Sequence, residues 1–371
     1  MDNAQLLERL IVNFGPVNGY NMFNDLRSVN DPAAPSVIDH APAGGCSWKG
    51  LAPERLDGAF KDIGDAMKKR KKRIIKALEK VNARVKMGSY AWVVSGKHTT
   101  TGNPIIYSGP QMGFPVPSIV TEGSINAGGL NISGMTVPGL PGIVIGRTPH
   151  HAWSMQVGHA HTTDYYIEGP GSITDTRIEV IRVRQDDGSV AEQPVPVHRT
   201  ARGPVVNPIP LTDPSSQGPI VSWKYAHWNY ELNSLAGFLG LARAQSMDEF
   251  GESLKELGVS QHFCYADRDG NIAYWMSGRE PVRPEGEWRL PQGATGLQPL
   301  EWDPLVVHPL STDRNTSRGW YGGWNNKSAA SYSSGFNGIY TIYGPFHRTH
   351  TIYDYFDKKL KRGRKISFSQ V

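Results

Sequence analysis

The residue on which chemistry can be built most directly is the serine of Gly88-Ser89-Tyr90-Ala91-Trp92-Val93-Val94. It stands between a charged helical segment and a Gly- and Pro-punctuated, β-rich region. A serine at such a junction suggests a nucleophile made by cutting the chain. Ser89 then becomes a new N-terminus, and its freed α-amine is its own base. An unperturbed α-amine titrates at about 7.7–8.0, near what a base needs at neutral pH. The same residues also suit an ordinary serine in a turn ahead of a strand.

A second chemistry is written in His150, His151, His159, His161 and Asp164. On a strand, His159-Ala160-His161 would turn both rings to one face, and Asp164 would complete a metal site for metal-dependent hydrolysis. No distant histidine or carboxylate stands out as a further ligand. Other signatures fail. Gly45-Cys46-Ser47-Trp48-Lys49-Gly50 has its second glycine one place late for a nucleophile elbow. There is no phosphate loop and no dinucleotide fingerprint. Asp267-Arg268-Asp269-Gly270-Asn271 starts like a calcium loop but lacks the closing glutamate, so it reads as a β-turn.

The elements that must position these groups are legible in outline. Residues 3–14 read as a helix with Leu6, Leu7, Leu10, Ile11 and Phe14 on one face. A second helix covers 18–27, and an irregular Pro- and Gly-rich stretch runs to about Leu51. Residues 54–83 read as one long helix carrying Lys68-Lys69-Arg70-Lys71-Lys72-Arg73. That run suits a solvated face, and its other readings are a nuclear signal or a nucleic-acid patch. After Ser89 the pattern turns to strands at 92–95, 104–108, 142–145 and 153–157. Asp186-Asp187-Gly188 joins two strands in a hairpin. Helices follow at 246–257, capped by Ser246, and at 348–360, and Ser367 and Ser369 look like caps for a further one.

Bulk composition excludes several classes. The chain has 371 residues, 39% hydrophobic and 20% charged, enough for about two domains with a sizeable core. With Gly 41 and Pro 27 it is rich in turns. A net charge of +5 is no nucleic-acid signature. The two cysteines, Cys46 and Cys264, imply no disulfide framework and have no metal-ligand spacing. No apolar run approaches the roughly 18 residues of a membrane span, and Met-Asp-Asn-Ala-Gln opens no signal peptide. Neither nucleic acid nor membrane is an expected partner.

The spread-out motifs carry a resemblance. Phe23-Asn24-Asp25-Leu26 with Asn30-Asp31-Pro32-Ala33-Ala34-Pro35, then Gly88-Ser89, Gly109-Pro110-Gln111-Met112-Gly113-Phe114 and Trp153-Ser154-Met155-Gln156-Val157-Gly158 come first. His198-Arg199-Thr200-Ala201-Arg202-Gly203-Pro204, Tyr265 to Ile272, Trp324-Asn325-Asn326 and Gly344-Pro345-Phe346-His347-Arg348 complete the order. The chain resembles the penicillin acylase family of N-terminal-nucleophile amide hydrolases. The resemblance implies an α+β fold, the αββα sandwich, incomplete here. Residues 1–45 would be the end of the α chain, 46–88 a spacer with the basic helix, and 89–371 the first part of the β chain. It makes Ser89 the nucleophile. Gln111 would hold the free amine through its carbonyl and bind substrate through its N–H. Val157 would give a backbone N–H and Asn325 a side-chain amide to the oxyanion hole, and Arg348 would order that asparagine and the amine. Fixed neutral donors of this kind are what a tetrahedral oxyanion requires, and an amine base explains why no histidine need adjoin the serine.

The family pattern also implies an acyl pocket at Met112, Ile145 and Met155, apolar but not aromatic. It implies a small N-acyl substrate: a β-lactam side chain, an acyl-homoserine lactone or an N-acyl amino acid. No cofactor is required, and calcium stays in play through Asp164 and the Thr163 carbonyl. Yet His161 and Ser333-Ser334-Gly335 stand where calcium-binding members have carboxylates, and Tyr90 replaces the asparagine usual after the nucleophile. Work outside the cytoplasm, periplasmic or secreted, is implied by resemblance alone. The family's chain extends well beyond this one on both sides. A complementing chain or the missing segments are therefore expected partners. Three readings stay open: an amide hydrolase, a metal hydrolase at His159, His161 and Asp164, and a truncated, inactive homologue.

Overall fold

The strand Ser89–Val94 takes its place from its own alternation. Ser89, Ala91 and Val93 are buried on one face, and Tyr90 and Trp92 are half-buried on the other, as a period of two requires. It is the middle strand of an antiparallel sheet, between Trp320–Gly323 and Ile105–Pro110. The computed structural model to which this belongs describes residues 2–27, 31–39, 59–80, 88–113, 116–207, 219–293, 298–332 and 343–371.

This small sheet faces a larger antiparallel one. Its strands, in spatial order, are Ser311–Arg314, Ile272–Met276, Gln261–Asp267, His151–Val157, Ile145–Arg147, Leu130–Thr136 and Thr121–Ala127. The core between the sheets joins Ala91 and Val93 to Cys264, Tyr274, Met276 and Tyr321. Behind the large sheet, helices Asn233–Arg243 and Met247–Leu254 lay Leu241, Phe250 and Leu254 on Trp153, Phe263 and Trp275. Behind the small sheet, helix His350–Leu360 presses Ile352 and Phe356 onto Val94 and Trp320. Each fully buried side chain of this size contributes about 1.5–3 kcal/mol. The layering is helix, sheet, sheet, helix: an αββα sandwich within an α+β fold.

Away from the sandwich, helices Asp2–Phe14 and Pro16–Leu26 bury Leu7, Leu10 and Phe23 against Val221 and Leu290. Phe14, expected on the apolar face, is exposed, because the helix ends there and Gly15 turns the chain at φ 78. Gly19 lets the two helices touch, since a Cβ there would lie 2.6 Å from the Ile11 nitrogen. The long helix spans Ala59–Lys80, with Lys69, Lys71, Lys72 and Arg73 exposed, as a solvated face requires. The flanks expected to extend it, 54–58 and 81–83, lie outside the described residues, as do Cys46 and the stretch 45–50.

The hairpin is Ile173–Arg184 with Val190–Thr200. Ser246 caps its helix, accepting from the Glu249 N–H at 3.2 Å. The strand expected at 142–145 begins only at Ile145. Ile143 and Val144 are instead buried in the outer core, and the Val144 N–H donates to the Met135 carbonyl at 2.9 Å. Among the described residues no helix is long and apolar enough to cross a membrane.

Candidate active site

Ser89 is 5% exposed and opens the central strand of the small sheet, opposite Pro110. The two sides of the Gly88–Ser89 bond are held by different groups. The Gly88 carbonyl accepts from the Gln111 N–H at 2.6 Å. The Ser89 N–H donates to Asn325 Oδ1 at 3.1 Å. The Ser89 hydroxyl meets two further donors, the Val157 N–H at 3.4 Å and Asn325 Nδ2 at 3.3 Å.

Each donor is fixed from behind. Val157 ends the strand His151–Val157, whose hydrogen-bonded ladder with Gln261–Asp267 sets its backbone. Asn325 sits at φ 65, a left-handed conformation that asparagine tolerates better than most residues. Its N–H donates to Gln156 Oε1 at 2.6 Å. Arg348 Nη2 donates to Asn325 Oδ1 at 2.7 Å, and Asn325 Nδ2 also donates to the Val157 carbonyl at 3.1 Å. With its oxygen claimed by Arg348 and by the Ser89 N–H, the amide can only present its nitrogen to the serine hydroxyl.

Ser89, Gln111, Val157, Asn325 and Arg348 thus lie together, although Asn325 is 236 residues from Ser89 in sequence. A Cβ at residue 88 would fall 2.9 Å from Gln111 Oε1, so the Gln111 and Arg348 side chains close on this peptide.

A cavity of about 140 Å³ opens beside Ser89. Met112, Ile145 and Met155 line it, joined by Val120, Met135 and Val144, which no sequence motif singles out. Val120 and Met135 belong to the region of a hairpin whose first strand, Thr121–Ala127, is largely exposed and whose second, Leu130–Thr136, is mostly half-buried, with no clean apolar alternation.

The histidine cluster does not form a metal site. The chain leaves the strand at Val157, and His159 adopts φ 58, so His159 and His161 do not share a strand face. His161 Nε2 lies 2.9 Å from Asp164 Oδ1, both fully buried. Asp164 Oδ2 receives Arg283 Nε at 2.9 Å, Arg283 Nη2 at 2.8 Å and Trp302 Nε1 at 2.8 Å. Burial would raise the Asp164 pKa, but Arg283 and His161 outweigh it and hold the carboxyl at about 2. Among the described residues no group of three His, Cys, Asp or Glu side chains is placed to hold a metal ion.

The same geometry answers for calcium. The charge that a divalent ion would supply at Asp164 is already supplied by the Arg283 guanidinium, which also donates to the His161 carbonyl at 2.6 Å. An added cation would meet that guanidinium head-on, so these residues do not fit calcium. Ser333-Ser334-Gly335 lies outside the described residues. The unfolding temperature should accordingly be the same in millimolar calcium and in EDTA. A calcium-dependent rise in thermal scans would overturn this account of Asp164.

Three histidines near the site are held neutral by burial. His159 is lowered to about 4 by desolvation and then by Arg348, and His347 to about 4 by desolvation, Arg348, His350 and His159. His262, between the Tyr274 hydroxyl at 2.6 Å and the Asn326 carbonyl at 3.0 Å, is lowered to about 3, chiefly by desolvation. The unfolded chain binds these protons near pH 6.5, before the folded one does. The stability they support is therefore complete above pH 6.5 and lost as pH falls toward 4. Melting temperatures measured from pH 7 to pH 4 should drop progressively, and a flat profile down to pH 4.5 would contradict it.

Comparison with known proteins finds a matching family model and several relatives. The family model described as penicillin amidase matches residues 14–371. Penicillin G acylase of Escherichia coli is 24% identical over 90% of this chain and 42% of its own length. Acyl-homoserine lactone acylase QuiP of Pseudomonas aeruginosa is 24% identical over 64% of this chain and 30% of its own. Among solved structures, the thermostable penicillin G acylase from Alcaligenes faecalis superposes with a TM-score of 0.65 at 24% identity, covering 76% of this chain and 50% of that one. The chain spans half or less of the length of these relatives.

Proposed function

The chain belongs to the penicillin amidase family, and from that premise we propose that it supplies the catalytic core of an amide hydrolase with Ser89 as an N-terminal nucleophile. The observation that carries the proposal is the meeting at one hydroxyl of two fixed N–H donors, from Val157 and Asn325, beside an apolar cavity.

In the first stage the chain cuts itself. Ser89 Oγ attacks the Gly88 carbonyl carbon, whose oxygen already accepts from Gln111. The C–N bond breaks, the hydroxyl proton ends on the Ser89 nitrogen, and an ester remains. Water hydrolyses that ester, leaving a Gly88 carboxylate and a free Ser89 amine. In the second stage this amine takes the Oγ proton as Oγ attacks a substrate amide carbonyl. The Val157 N–H and Asn325 Nδ2 stabilise the oxyanion. The substrate nitrogen leaves with the proton, the acyl group stays on Oγ, and water releases it as the acid.

The acyl group lies in the cavity of Met112, Ile145 and Met155, whose side chains suit an aliphatic or other apolar acid. The substrate class is a small N-acyl compound, such as an acylated β-lactam nucleus, an acyl-homoserine lactone or an N-acyl amino acid. Relatives named for penicillin G and for acyl-homoserine lactones support that range. The family resemblance also supports work outside the cytoplasm.

The test is product analysis on the purified protein with phenylacetyl and straight-chain acyl amides and acyl-homoserine lactones, with and without EDTA. We expect equal amounts of free acid and free amine, the lactone ring intact, and no effect of the chelator. No amine from any substrate, or activity lost in EDTA and restored by zinc, would overturn the proposal.

A further inference from the structure

Arg348 and Gln111 both reach the Gly88–Ser89 junction with side chains that have many rotamers. What holds them is the residue before the oxyanion asparagine. Trp324 Nε1 donates to Gln111 Oε1 at 2.8 Å. The Arg348 guanidinium stands 5.0 Å from the Trp324 ring centroid, and its Nε donates to the Trp324 carbonyl at 3.4 Å. From there Nη2 reaches Asn325 Oδ1 at 2.7 Å. The indole is itself braced. Tyr90 meets it edge-on, centroids 5.7 Å apart at 75°, and the Trp324 backbone N–H donates to Asn326 Oδ1 at 2.9 Å. A Cβ on residue 88 would lie 2.9 Å from Gln111 Oε1 and about 3.5 Å from Arg348 Nη2. Both groups held by Trp324 therefore close on the same peptide.

We propose that Trp324 is a positioning residue with two separable functions: its ring face fixes Arg348 over Asn325, and its indole N–H fixes the Gln111 carboxamide against Gly88. This rests on the reading of Ser89 as nucleophile. The ring face acts in turnover. The freed Ser89 amine lies beside Asn325 Oδ1, which Arg348 also holds. A guanidinium kept there disfavours the charged amine and keeps the base ready. A loosened Arg348 lets the amine's pKa rise. The other titratable neighbours, His159, His347 and His262, are neutral above pH 5, and His350 donates to the Pro345 carbonyl at 2.7 Å. The indole N–H acts in self-cleavage, where Gln111 presses on Gly88.

The experiment compares Trp324→Leu and Trp324→Phe with wild type in the whole protein. One readout is the pH profile of kcat/KM, whose acid limb reports the free enzyme's base. The other is the rate at which the Ser89 N-terminus appears. Trp324→Leu should move the acid limb up by about half a pH unit or more and lower kcat. Trp324→Phe should leave the limb in place and slow self-cleavage several-fold. If Trp324→Leu proves unstable, Trp324→Met with Arg348→Lys serves: Trp324→Met should add no further shift once Arg348 is lysine. An unmoved limb in cleaved Trp324→Leu or Trp324→Met, or equal shifts in Phe and Leu, overturns the proposal alone. A wild-type protein that hydrolyses amides with no free Ser89 N-terminus overturns the nucleophile reading with it.

Discussion

Ser89→Ala should leave the Gly88–Ser89 bond uncut and abolish amide hydrolysis, a loss on the order of 10⁶-fold in turnover for a missing nucleophile. The two defects have one cause. In the proposed mechanism nothing attacks the Gly88 carbonyl without Oγ, so no α-amine is freed to serve as the base for turnover. In wild type, N-terminal sequencing of the large product should begin Ser-Tyr-Ala-Trp. Ser89→Cys separates the steps. A thiolate attacks readily, so the chain should be cut, yet a thiol is a better leaving group than the amine it must expel and amide turnover should stay poor. The alanine change costs the fold little, since Ser89 is small, buried beside Ala91, and donates to Asn325 through its main chain. An uncut Ser89→Ala protein that hydrolyses substrate as wild type does would refute the nucleophile assignment outright.

How much of this site is legible in the sequence depends on how local each signal is. Ser89 is visible because a glycine precedes it and an alternating strand follows. Val157 contributes a backbone N–H, for which no side chain speaks, and only family resemblance reaches it. Asn325 and Arg348 arrive from more than 230 residues away. Neither the left-handed φ of Asn325 nor the indole that seats Arg348 is written in a spacing. Arg283 escapes a sequence reading because it meets Asp164 across 119 residues, and without it Asp164 looks like an unneutralised acid beside two histidines.

The fold shows the same division. Helices with an apolar face and a cap, such as the one after Ser246, are legible. Helix Asn233–Arg243 is not, because Gly237 and Gly240 lower its propensity. Packing explains those glycines: a Cβ at Gly237 would fall 2.6 Å from Leu257 Cδ2 and one at Gly240 2.5 Å from Ser253 Oγ. Close helix contact outweighs propensity there, and only the partner helix reveals it.

The contacts on the two sides of Gly88–Ser89 allow the two proposed reactions to be separated by experiment. The Gly88 carbonyl leans on Gln111, whereas the donors from Val157 and Asn325 meet the serine hydroxyl. In the proposed mechanism, cutting the chain and turning over substrate would therefore draw on different oxyanion donors. Asn325→Ala should consequently still be cut at Gly88–Ser89 while losing about 10²–10³-fold in kcat, the usual effect of one missing oxyanion donor. Alanine at φ 65 carries a backbone strain of about 1–2 kcal/mol, so part of any defect could come from the fold. Asn325→Gly removes the same amide without that strain, and the two variants should share one loss in kcat while alanine lowers the melting temperature further than glycine. Asn325→Asp is the sharper test. It keeps the Arg348 contact but replaces the donor with a second acceptor beside Oγ, so turnover should fall at least as far as in alanine. Wild-type kcat in a folded Asn325→Gly would remove Asn325 from the chemistry. Failure of all three variants to be cut would mean that the Gly88 oxyanion needs Asn325 as well as Gln111, and that the two reactions share one hole.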